Sequence, residues 1–212
     1  MRRYLAWIVF LAGPACAQNA VTDWFPVHVG DKWTYDYESR DDNGGGPRHP
    51  EIRKWTTEET TVGSWTVPEG LMVERQVRAT PPKPDRVFLI RGNCVYADIV
   101  WDPASRQLKD EYRKGLDTWL SPDFCFPLTR GKTWGAPHGL PDWGVTRPED
   151  AKDWRVAGGG HIQSISAYPG SGTTVDVWFK KGVGVVRQVQ IHHGTIGERR
   201  VRLVRFEPAV LH

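Results

Sequence analysis

Apolar residues at every second position constrain this chain more than any other feature. Val175, Val177 and Phe179 share one face of a segment, and Val185, Val189 and Ile191 repeat the pattern, with Arg187 the exception in its row. A period of two belongs to strands with one face turned to a core. Further strands are expected at 32–38, 51–62, 71–79, 86–91, 95–101, 107–114, 154–157, 162–168 and 199–206. Turn chemistry separates them: Gly44-Gly45-Gly46-Pro47, Pro81-Pro82-Lys83-Pro84, Gly158-Gly159-Gly160 and Pro169-Gly170-Ser171-Gly172. About ten antiparallel strands at this spacing make an all-β fold, one strongly curved sheet forming a half-barrel or barrel, with a sandwich as the alternative.

Two stretches resist the pattern. Asp102-Pro103 fits a helix start, and Leu108, Tyr112, Leu116 and Trp119 fall near helical spacing, yet Asp-Pro also starts turns. The preferred reading is a hairpin turning through 102–106, with a helix as the alternative. Residues 136–153 show no period and carry several prolines, so they read as a long loop.

The chain begins like an export signal. Arg2-Arg3 precede an apolar run from Tyr4 to Leu11, and Ala15-Cys16-Ala17 supplies a small-residue cleavage site, giving a leader at 1–17 and a single β domain at 18–212. The apolar run is too short to span a bilayer, and no later stretch is long enough, so no membrane span is expected after cleavage. The destination is the periplasm or the exterior, with lipid attachment at Cys16 as the alternative. In an oxidising compartment, the remaining Cys94 and Cys125 are expected to form a disulfide.

The 28 Lys and Arg face 25 Asp and Glu, and losing Arg2 and Arg3 with the leader brings the two nearly level. That balance argues against a nucleic-acid partner. Apolar content of 39% excludes a disordered chain.

One nine-residue segment occurs twice. Phe25-Pro26-Val27-His28-Val29-Gly30-Asp31-Lys32-Trp33 matches Phe126-Pro127-Leu128-Thr129-Arg130-Gly131-Lys132-Thr133-Trp134 at Phe, Pro, an aliphatic, Gly and Trp. Pro fixes φ, Gly adopts backbone states closed to side chains, and Trp supplies a large anchor, so each copy is expected to turn the chain and start a strand. This repeat, following an export signal and joined by Gly182-Val183-Gly184-Val185-Val186, resembles a broad group of uncharacterised exported bacterial proteins. The resemblance implies a strongly curved antiparallel sheet in the cell envelope, similar in outline to half-barrel periplasmic carriers of lipids or lipoproteins. It brings no catalytic residues.

Catalytic signatures are missing. Gly131-Lys132-Thr133 lacks the earlier glycine of a phosphate loop, and Gly-x-Ser-x-Gly, His-Glu-x-x-His and Cys-x-x-Cys do not occur. His192 and His193 would point to opposite faces of a strand, which disfavours a shared metal. His138, Asp142, Glu149, Asp150 and Asp153 offer a weak hydrolase site in the 136–153 loop. No metal or cofactor is expected. Eleven tryptophans remain the oddity. Trp33, Trp134 and Trp178 read as anchors, whereas Trp65, Trp101, Trp119, Trp143 and Trp154 near turns are the candidates for stacking on a ligand. The expected function is a non-enzymatic binding or interaction module for an apolar small molecule, a glycan or an envelope protein. A carbohydrate-binding module using exposed Trp residues is the alternative. Whether the concave face of the sheet is filled or open decides between binding and purely structural roles.

Overall fold

A computed structural model of the chain describes residues 21–41, 51–139, 141–145, 159–164, 173–192 and 197–210. The leader, Cys16, Glu149, Asp150, Asp153, Trp154, His193 and the strand expected at 154–157 lie outside them. Fourteen strands are present among the described residues. They are β1 (Lys32–Asp41), β2 (Glu51–Val67), β3 (Gly70–Ala79), β4 (Arg86–Arg91), β5 (Cys94–Tyr96), β6 (Trp101–Asp102), β7 (Gln107–Leu108), β8 (Phe124–Cys125), β9 (Thr133–Trp134), β10 (Trp143–Gly144), β11 (Gly159–Ser164), β12 (Thr173–Lys180), β13 (Gly184–His192) and β14 (Gly197–Glu207). The described helix is α1 (Asp110–Gly115), with acidic residues in its first turn and basic ones in its last.

Twelve strands form one antiparallel sheet in the order β8-β5-β4-β3-β2-β1-β14-β13-β12-β11-β10-β9, and β6-β7 form a separate hairpin. The long sheet is nearly closed into a barrel. Its first edge curls over to the last: Phe124 of β8 meets the ring of Phe179 on β12 edge-on at 4.9 Å, and Phe126 does so at 5.4 Å. At Gly160 on β11 an added Cβ would stand 2.6 Å from Cδ1 of Leu128, so the two sides approach closely there and a larger residue would make the Leu128 side chain shift. Gly159 and Gly160, expected in a turn, therefore belong to a strand.

Inside one end of the barrel, Trp24, Phe25 and Val27 pack with Val73, Phe88, Phe126, Ile162, Val177 and Phe179. A second core lies on the opposite face of β3–β5, where Met72, Leu89 and Tyr96 are covered by Leu108 and Leu116. Two corrections follow here. The strand expected at 95–101 stops at Tyr96 because the Ala97 N–H is taken by the Asp123 carboxylate and Asp98 turns left-handed, with φ 51°. The hairpin through 102–106 is present. The strand expected at 107–114, however, ends at Leu108 and gives way to α1, because Leu108 and Leu116 must both reach the same apolar face.

The row Val185, Arg187, Val189 is also broken. A bulge sets Val185 opposite Phe179 but Arg187 opposite Trp178, so Val185 packs on the core while Arg187 lies over the Trp178 ring at 4.4 Å. Within the stretch read as a loop, Trp143 and Gly144 form a short strand against Trp134 and Thr133.

The two copies of the nine-residue segment make corresponding backbone hydrogen bonds. Gly30 N–H donates to Thr61 O (2.8 Å) and Thr61 N–H to Asp31 O (2.9 Å); Gly131 N–H donates to Val145 O (3.1 Å) and Val145 N–H to Lys132 O (2.8 Å). Both glycines have positive φ, 100° and 81°. The indoles differ: Trp33 Nε1 donates to Val183 O at 2.6 Å, whereas Trp134 Nε1 has no partner among the described residues.

Cys94 and Cys125 face each other across β5 and β8 and form a disulfide. It ties the edge strand to the sheet and closes a loop with a sequence separation of 31. Replacing both cysteines by serine is expected to cost about 3–4 kcal/mol in urea unfolding on the chain-entropy model. A loss below about 1 kcal/mol would show that the loop is held by its packing instead.

Candidate functional site

Alternation along β1 turns Trp33, Tyr35 and Tyr37 to the concave face. Register places Glu59, Thr57 and Trp55 of β2 beside them, and Val77 of β3 beside Glu59. The Trp33 end is plugged. There the Arg75 guanidinium lies 4.0 Å from the Trp33 ring centroid, 4.4 Å from Phe25 and 5.1 Å from Phe88, and donates to Pro26 O at 3.0 Å. Such a sandwich suits Arg, whose flat face is weakly hydrated.

Beyond the plug, the concave face stays open as a cavity of about 540 Å³. One wall is polar: Thr57, Glu59, Lys83, Arg86, Asp98 and Asp123 line it. Glu59, 4% exposed, receives Arg75 at 3.7 Å and Arg86 at 3.8 Å, and Arg86 also pairs with Asp98 at 3.3 Å. Phe124, Trp143, Val175, Val177 and Val201 add apolar lining, with Gln188 and Arg199 among them. At the rim, Tyr37 stacks on Trp55 with centroids 5.2 Å apart, and the Lys83 ammonium lies over both rings at 5.4 and 5.2 Å. Burial, then the charge of Glu59, pushes the Tyr37 phenol up to about 12, so it stays a neutral donor.

Burial also raises the Asp123 carboxyl above its ordinary value, against the opposing hydrogen bond from Ala97 N–H at 2.7 Å. A raised carboxyl favours folding in its protonated form. Its stabilisation is full below the unfolded value of about 4 and fades as pH rises through the higher folded value. Asp123→Asn keeps an acceptor for Ala97 and mimics the protonated acid. The variant is expected to match the parent near pH 3 and exceed it in stability at pH 7, measured by urea unfolding; a deficit at pH 7 would show that the charge is needed.

The tryptophan candidates do not share one surface. Trp65 and Trp101 lie 4.9 Å apart, with Trp65 Nε1 donating to Arg106 O, and both pack on the second core under the hairpin. Trp119, 57% exposed, meets Tyr112 edge-on at 6.1 Å. Of the four described candidates Trp143 alone enters the cavity lining, and Trp154 is outside the described residues. His138 and Asp142 belong to no group of three or more His, Cys, Asp or Glu that could hold a metal among the described residues. Sequence reading missed Tyr37, Trp55, Thr57, Glu59, Lys83 and Arg86. The alternation Trp33, Tyr35, Tyr37 was the available signal, since aromatics on one face of a strand that starts at an anchor point inward.

No family model and no curated protein matches this sequence. Solved structures do resemble it. A Bacteroides fragilis protein described as exported, with a YmcC-like fold, is 10% identical, with 87% of this chain and 99% of that one covered and a TM-score of 0.47. A Parabacteroides distasonis protein described as a lipoprotein is 13% identical over 86% and 97% of the chains, with a TM-score of 0.45. A Vibrio parahaemolyticus outer-membrane lipoprotein-sorting domain is 11% identical over 94% of each chain, with a TM-score of 0.31. Function has to come from this chain's own cavity. Among the described residues no helix is long and apolar enough to cross a membrane.

Proposed function

We propose that this chain is an exported, non-enzymatic binding protein that holds a small amphipathic ligand in the concave cavity of its sheet. The observation that carries the reading is a cavity of about 540 Å³ whose lining combines charged and apolar side chains, open above an aromatic plug. Volume and lining fall in the range of small-molecule sites. Export is supported by the leader and by the disulfide. The single-domain reading of 18–212 belongs to the same proposal, as do Trp33 and Trp134 as anchors that touch no ligand.

Val175 is a half-buried wall residue, so Val175→Trp fills the cavity without entering the plug. Native mass spectrometry of the protein recovered from its exporting cells is expected to show bound small-molecule mass in the parent and none in Val175→Trp. Equal adducts in both would place the ligand elsewhere and refute the proposal.

A further inference from the structure

We infer that the cavity takes an acidic sugar, a hexuronate unit of an oligosaccharide, with its carboxylate held at Lys83 and Arg199. This rests on the cavity being the ligand site. A hydrocarbon chain would have to run beside Glu59, Arg86 and Asp123, and covering charges with hydrocarbon removes their hydration without replacing it. A sugar ring has the opposite character. Its hydroxyls suit Thr57, Glu59 and Arg86, and its C–H face suits the valines and Trp143 of the same lining. Thr57 points to a polar occupant independently: it is 2% exposed and lines the cavity, and its hydroxyl has no hydrogen-bond partner among the described residues.

The charge comes from the cations left over. Glu59 and Asp98 already face arginines, and Asp123 accepts the Ala97 N–H. Lys83 and Arg199 also line the cavity, yet neither makes an ion pair with a described residue. Both lie near Tyr37: Lys83 sits over its ring, and the charge of Arg199 is felt at its phenol. Two cations with no ion pair among the described residues, beside one aromatic pair, form a carboxylate site at the rim, where Arg can bind bidentately and Lys as a point charge.

Calorimetry on the mature protein with α-1,4-digalacturonate, the neutral α-1,4-galactobiose and oleate separates the cases. Digalacturonate is expected to bind at least tenfold tighter than galactobiose. Lys83→Ala and Arg199→Ala, both changes of rim side chains, should each weaken it about tenfold, while Trp119→Ala leaves it unchanged. Val175→Trp should abolish binding. If oleate binds in a Val175→Trp-sensitive way and digalacturonate does not, the cavity reading stands and the sugar is wrong. Digalacturonate binding that survives Val175→Trp overturns both, and silence from digalacturonate overturns the sugar.

Discussion

Trp33→Ala is expected to lower stability by about 3–5 kcal/mol, roughly 10 °C in melting temperature for a chain of this size. Trp33 is fully buried, packs on Phe206 at 5.2 Å and under the Arg75 guanidinium, and its indole reaches Val183 O beyond β14. Truncation would empty the plug and orphan a carbonyl at the turn before β13. Trp134→Ala should cost less, since its indole N–H makes no bond to a described residue and its strand lies at the sheet edge. The exposed Trp119→Ala should stay within about 0.5 kcal/mol of the parent. Equal melting for Trp33→Ala and Trp119→Ala would contradict a plug built on Trp33.

Arg75→Met should cost a comparable amount, about 3–5 kcal/mol, although the side chain is replaced by one of similar length. Arg75 and Glu59 are both at least 95% buried, and removing Arg75 leaves the buried Glu59 carboxylate with Arg86 as its remaining cation. Burial pulls the Arg75 pKa down while Glu59 pulls it back up, so the guanidinium and the carboxylate sustain each other. Adding Glu59→Gln to Arg75→Met should therefore recover part of the loss in urea unfolding. A double variant as unstable as the sum of the two singles would show that the charges do not interact.

The strand at Thr173–Lys180 was legible because its apolar residues alternate over a core, and Arg86–Arg91 because a short apolar run between polar ends is buried on both faces. The Gly30 and Gly131 turns were legible too, since positive φ is a property of the residue itself. The polar wall was not. Glu58-Glu59-Thr60-Thr61 reads as a solvated strand, and nothing local shows that Glu59 turns inward to Arg75 and Arg86, which arrive from two other strands. The bulge opposite Trp178 was hidden for the same reason: one extra residue changes faces only in the presence of its partner strand. Tyr112 and Leu116 gave a helical hint that competed with Asp102-Pro103 as a turn, and both signals were real in succession, a hairpin and then α1.

The open cavity is tested most directly by thiol labelling, since both cysteines among the described residues are bonded to each other. Gln188 lines the cavity wall and Val73 is fully buried in the core that forms the plug. Under native conditions Gln188→Cys is expected to react with a small maleimide within minutes, and Val73→Cys only after unfolding. If Gln188→Cys proves as unreactive as Val73→Cys, the concave face is filled and there is no room for a ligand.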